Sequence, residues 1–129
     1  MNPFAAVVYA KDVVLVATFY EVVAGLRVAS ATPGWVQLLS AAGDFELVIH
    51  GIPAEIAATI RITTPPIRRD ETPVKLVLAV RSIAEARTAA RSRGGDVFPE
   101  AREWRHGGRV HCDGCDPEGN VFQLRALVH

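Results

Sequence analysis

The chain repeats its own pattern at an offset of 70 residues, and that repeat limits its fold more than any other feature. Phe4-Ala5-Ala6-Val7-Val8-Tyr9-Ala10-Lys11-Asp12-Val13 lies without a gap over Val74-Lys75-Leu76-Val77-Leu78-Ala79-Val80-Arg81-Ser82-Ile83, and Gly25 then falls on Gly95. Each copy reads as an apolar strand, a cap, a helix of about three turns and a glycine stop. In the first copy Asp12 is the cap, and Val16, Phe19, Tyr20 and Val23 form an apolar stripe at helical spacing. In the second, Ser82-Ile83-Ala84-Glu85 has the form of a capping box. Ala86, Ala89 and Ala90 give that helix a face of small residues, and Gly94-Gly95 ends it.

Strand-like segments follow each helix: Leu26 to Ser30, Trp35 to Ser40 and Phe45 to His50, then Asp96 to Pro99, Arg109 to Cys115 and Val121 to Val128. Each copy is therefore β-α-β-β-β. Pro53 to Ala58 has the length for one short helix. Residues 63–73, broken by prolines and charged, read as a connector between a module at 1–62 and a module at 74–129.

Composition narrows the function classes. Half of the 129 residues are hydrophobic, enough for a core without disulfides or structural metal. Fourteen basic residues balance fourteen acidic ones, so nothing argues for a nucleic-acid or membrane-surface partner. No apolar run approaches the roughly 18 residues of a membrane span, and Met1-Asn2-Pro3-Phe4 lacks the basic start of a secretory leader. The expectation is a soluble, cytoplasmic, single-domain protein without nucleic-acid or membrane partners.

The end of the chain is the most telling local motif. Asp116-Pro117-Glu118-Gly119-Asn120 is a tight-turn sequence, with Pro presetting one φ and Gly-Asn tolerating positive φ. It runs into the alternating strand Val121-Phe122-Gln123-Leu124. This turn and strand resemble the closing hairpin of the vicinal oxygen chelate superfamily, which includes glyoxalase I, extradiol dioxygenases, fosfomycin-modifying enzymes and bleomycin-resistance proteins. The resemblance implies an α+β fold in which two β-α-β-β-β modules form a curved mixed sheet around a shared cavity. Paired modules of this kind often associate, so a homodimer is expected.

Alternation decides which side chains face that cavity. Phe122, Leu124 and Ala126 suit the helix side, leaving Gln123, Arg125 and Leu127 inward; Phe45, Leu47 and Ile49 likewise leave Glu46, Val48 and His50. The opening strands contribute Ala5, Val7 and Tyr9, and Lys75, Val77 and Ala79. The metal ligands of the superfamily's metalloenzymes fall by motif matching on Ala5, Glu46, Lys75 and Gln123. Only Glu46 is a good donor for a divalent cation, so the resemblance points to a metal-free member with no cofactor.

Several residues remain as candidates. Lys75 is expected to face Glu46 across the cavity, near Gln123 and Arg125, as an anion-binding pair or a structural ion pair. His50 and Glu46 are the candidate acid–base groups, His50 because an unperturbed imidazole titrates near pH 6.5. Tyr9 is placed to donate into the cavity. Trp104, in Trp104-Arg105-His106-Gly107-Gly108, falls where the resemblance implies a loop over the cavity mouth and is suited to stacking on a flat ligand. His111-Cys112-Asp113-Gly114-Cys115 holds both cysteines of the chain, but a strand sends residues three apart to opposite faces, which disfavours a shared metal. The expected function is metal-independent sequestration of a small organic molecule. The alternatives are a metal-independent isomerase, cyclase or lyase using His50 or Glu46 as base, and a metal-dependent glyoxalase or dioxygenase.

Overall fold

A computed structural model describes residues 4–128, which leaves Met1–Pro3 and His129 outside. The first module runs β1 (Phe4–Ala10), α1 (Val13–Ala24), β2 (Arg27–Thr32), β3 (Trp35–Leu39) and β4 (Phe45–Gly51), followed by the short α2 (Ala54–Ala57). The second runs β5 (Leu76–Ala79), α3 (Ile83–Ser92), β6 (Asp96–Val97), β7 (Trp104–His106), β8 (Arg109–Cys115) and β9 (Val121–Leu127), with one 3-10 turn at Glu100–Arg102. Each module carries its own mixed sheet: β1-β4-β3-β2 in the first, and β5-β9-β8-β6 in the second with β7 also on β8. In both, the opening strand pairs in parallel with the closing strand, and the remaining pairs are antiparallel. Among the described residues no helix is long and apolar enough to cross a membrane.

The helices form where the caps and periodicity indicate. Asp12 accepts from the Leu15 amide at 3.0 Å, and Gly25 closes α1 in the left-handed region at φ 67°. The capping box of α3 is only half made. Ser82 accepts from the Glu85 amide at 3.1 Å, but the Glu85 carboxylate turns to the Arg81 guanidinium at 2.8 Å. A cation within i,i+4 reach on an exposed helix start outcompetes a hydrated backbone amide.

One apolar layer joins the two modules. Val16, Phe19, Tyr20 and Val23 of α1 and Ala86 and Ala90 of α3 are buried, and the two helices pack on each other as well as on their own sheets. Phe19, Tyr20 and Phe122 meet edge-on or tilted, with centroids 5.2–6.0 Å apart, so an aromatic cluster spans the module boundary. Fully burying each of these Phe side chains contributes about 1.5–3 kcal/mol.

The Asp116–Asn120 turn is the second link between modules, and its acidic residues are not solvated as turn residues usually are. Asp116 is fully buried and accepts from the Tyr20 hydroxyl at 2.8 Å, the Glu118 amide at 2.9 Å, and the Asn120 amide and side chain at 3.1 and 2.9 Å. Burial pushes its carboxyl above the usual range, against the pull of these donors, and pushes the Tyr20 phenol up as well. Glu118 is also buried and accepts from the Lys11 and Asp12 amides, each at 2.8 Å. The turn thus grips the β1–α1 junction of the other module. Only Gly119 takes positive φ (87°); Asn120 does not. The connector crosses above, with the Arg69 amide donating to the Gly119 carbonyl at 2.9 Å.

Candidate functional site

On the face of each sheet turned away from its helix, register lines up the candidate side chains in rows. In the first sheet Ala5, Glu46 and Leu39 form one row, Val7, Val48 and Gln37 the next, and Tyr9, His50 and Trp35 the third. In the second sheet Val77, Gln123 and Asp113 form one row, and Ala79, Arg125, His111 and Trp104 the next. Leu127, Arg109 and His106 follow. Both faces are open: Val7, Tyr9, Val77 and Leu127 are exposed, as is His50.

The two faces differ in chemistry. In the first, Glu46 accepts from Gln37 Nε2 at 2.7 Å, and the Tyr9 and His50 rings lie 5.5 Å apart. His50 Nδ1 sits 2.9 Å from the Gly51 carbonyl. The second face carries a connected polar cluster. Lys75 Nζ donates to Asp113 Oδ2 at 2.8 Å, and Gln123 Nε2 approaches Asp113 Oδ1 at 3.5 Å. Arg125 Nε donates to Gln123 Oε1 at 3.0 Å. His111 is buried, with Nδ1 3.4 Å from Gln123 Oε1 and Nε2 3.2 Å from the His106 carbonyl. The Trp104 ring stacks on His111 at 5.3 Å and 10°.

Two expectations need correction. Lys75 does not pair with Glu46. It precedes β5 and reaches Asp113 on β8, two strands across the same sheet, while Glu46 is satisfied locally by Gln37. Trp104 is not in a loop over the cavity mouth, since residues 104–106 form β7, hydrogen-bonded to β8. The Gly107-Gly108 turn, with φ of 60° and 74°, folds them back onto the sheet. Arg87 of α3 pins the approach to that strand, bonding the Phe98 carbonyl at 2.8 Å and the Glu103 carboxylate.

His111, Asp113 and Gln37 belong to these networks and were not among the sequence candidates. A signal for the first two was present. Alternation along Arg109 to Cys115 puts 109, 111 and 113 on one face, and pairing with Val121 to Leu127 brings that face to Gln123 and Arg125.

The cysteines follow the alternation. Cys112 faces the helix side, with Sγ 3.3 Å from the Phe98 carbonyl, and both thiols are buried and unbonded to one another. Burial pushes both thiols up; Arg87 offsets this in part at Cys112 and Arg68 at Cys115. The native protein should therefore react slowly with a disulfide thiol reagent, and both thiols should titrate promptly on unfolding. Prompt native reaction of either thiol would contradict this burial.

A family model described as a glyoxalase-like domain matches residues 5–125 of the chain. The chain belongs to that glyoxalase-like family, within the vicinal oxygen chelate superfamily. Solved structures agree on the fold of this glyoxalase-like chain. A glyoxalase/bleomycin resistance protein/dioxygenase family enzyme from Burkholderia phytofirmans PsJN is similar at TM-score 0.69 and 16% identity, covering 99% of this chain and 100% of that one. The bleomycin resistance determinant encoded on transposon Tn5 is similar at TM-score 0.61 and 17% identity, with both chains covered fully (100% each). An antibiotic-binding protein from Streptomyces sp. CB03234 is similar at TM-score 0.63 and 19% identity, over 96% of this chain and 93% of that one. No curated protein matches the sequence.

Membership raises the question of metal, and the residues answer it by their chemistry. At the four positions matched to the family's metal ligands, Ala5 has no donor atom and Lys75 is a cation held by Asp113. Gln123 is neutral and already engaged by Arg125, and Glu46 is engaged by Gln37. Among the described residues no three His, Cys, Asp or Glu side chains converge as a ligand set. This donor set does not fit a divalent cation.

Proposed function

We propose that this glyoxalase-like protein binds and sequesters a small planar organic anion, without metal or cofactor, on the outer face of its second sheet. The observation that carries the reading is the cluster in which Lys75, Asp113, Gln123 and Arg125 hold one another beside the Trp104–His111 stack. Within the cluster and the row beside it Lys75, Arg125 and Arg109 outnumber Asp113, so this part of the face is cationic. Arg125 spends only Nε on the protein, and its terminal nitrogens have no protein partner among the described residues. That leaves a fork suited to a carboxylate or phosphate-like group. Trp104 supplies a flat apolar surface for the rest of the ligand. The exposed Lys75–Asp113 pair adds at most about 1 kcal/mol to stability, which favours a positioning role over a structural one.

Val77 of the same sheet completes the proposed contacts, while Tyr9, Glu46, Val48 and His50 stand on the corresponding face of the first sheet. Exposed Leu127 leaves apolar surface that a second copy would cover, and a homodimer in sedimentation is the expected state. The binding-protein reading, with the ligand held and not turned over, also draws on the antibiotic-binding protein of similar fold.

Titration with planar aromatic carboxylates, followed by tryptophan fluorescence and calorimetry, tests the site. Arg125→Ala is expected to weaken binding by about tenfold or more, the scale of one charged hydrogen bond, and Trp104→Ala to remove the fluorescence change. Binding indifferent to Arg125→Ala, Lys75→Ala and Trp104→Ala together would move the ligand off this face.

A further inference from the structure

We propose that the seam between the two sheets is a second, separate binding site, which takes a short extended peptide ending in a free carboxylate. Among the described residues β1 pairs only with β4, and β5 only with β9. The opening strand of each module therefore has one free edge. A cavity of about 530 Å³ opens at this seam, within the range that holds a small ligand.

Four successive residues of β1 line it: Ala6, Val7, Val8 and Tyr9. Successive side chains of a strand point to opposite faces, so a cavity that touches all four runs along the edge of the strand and not over one face. Along such an edge every other residue presents an unpaired N–H and C=O. Extended chain is the ligand form whose own amides match that spacing, the mode in which a peptide adds a strand to a sheet.

The other walls set the rest of the chemistry. Val74, Leu76 and Val121 are apolar and suit aliphatic side chains. Arg69 and Glu71 of the connector stand on the rim, and neither side chain has a hydrogen-bond or ion-pair partner among the described residues. Arg69 takes the terminal carboxylate, and Glu71 repels a second negative charge, so a monoanionic peptide is preferred over an acidic one. Tyr20 and Asn120 also line the cavity, but their polar groups are already committed to Asp116. Specificity therefore comes from the strand edge and the rim. None of the polar residues of the Lys75–Arg125 cluster lines this cavity, so the site stands apart from the one proposed above.

The test is a titration of isotopically labelled full-length protein with the tripeptide Val-Val-Val, followed by amide resonances. Saturable shifts are expected at Ala6 to Tyr9 and at Leu76. C-terminal amidation of the tripeptide and the Arg69→Ala variant should each weaken binding by about tenfold. Leu76→Trp, which fills the cavity, should abolish the shifts, with its own amide spectrum reporting that it folds. The proposal is overturned by the absence of saturable shifts at millimolar peptide, by shifts confined to Gln123 and Arg125, or by equal binding of the amidated peptide.

Discussion

Glu118→Ala is expected to lower the stability of this protein by about 2–4 kcal/mol, because one carboxylate closes two backbone donors of the other module. The Lys11 and Asp12 amides each donate to it at 2.8 Å, from a sequence separation of more than 100 residues. Truncation leaves both without a protein partner at the β1–α1 junction, and it removes a buried side chain at the module boundary. Glu118→Gln keeps one acceptor and presents an NH2 to the other amide, so it should lose roughly half as much. Chemical denaturation of the wild type and both variants gives the comparison. A loss below about 0.5 kcal/mol for Glu118→Ala, the size of an ordinary surface substitution, would mean that the turn does not tie the modules together.

Gly119→Ala is expected to be at least as damaging, about 3–5 kcal/mol, and for reasons of backbone rather than charge. Gly119 holds φ 87°, where an L side chain costs roughly 1–2 kcal/mol by itself. A Cβ built there would lie 2.1 Å from the Ile67 carbonyl oxygen and 3.1 Å from its carbon, so the connector must move. That movement strains the Arg69 amide bond to the Gly119 carbonyl and shifts Arg69, which stands on the rim of the seam cavity. Thermal unfolding measures the loss, and a variant with an unchanged midpoint would show that the connector yields freely. By contrast, Gly43 also has positive φ (73°) but nothing within 4 Å, so Gly43→Ala should lose only the conformational part, about 1–2 kcal/mol.

These two residues also mark what the sequence could tell and what it could not. The presence of the turn was legible, because Pro-Glu-Gly-Asn between apolar strands has few backbone solutions, although only Gly119 takes the positive φ. The burial of Asp116 and Glu118 was not, because their partners Tyr20, Lys11 and Asp12 lie about a hundred residues away and local patterns carry no such information. The strands and helices were legible for the opposite reason. Asp12, Ser82 and Gly25 signal helix ends locally, and the alternation of Phe45 to His50 and Val121 to Val128 fixes which face is buried. Leu47, Ile49, Phe122 and Leu124 are all inaccessible, as that alternation requires.

β7 was missed because Trp104-Arg105-His106 is too short and too polar to show a period, and the paired glycines after it read as loop. The pairing of Lys75 was missed because a face assignment leaves the partner open. Lys75 and Glu46 belong to different sheets, and Lys75 finds Asp113 within its own. Sequence spacing identified the candidates one by one; the rows that make Gln123, Arg125, His111 and Trp104 a single cluster come from strand pairing.

On the function proposed here the cationic cluster, and not a metal, holds the ligand. Elemental mass spectrometry on protein purified without a histidine tag or chelator tests it most directly. Far less than one equivalent of zinc, nickel, manganese or iron per chain is expected, unchanged by Glu46→Ala. A transition metal near one equivalent, lost on Glu46→Ala, would contradict it and return the protein to the metal-dependent side of its family.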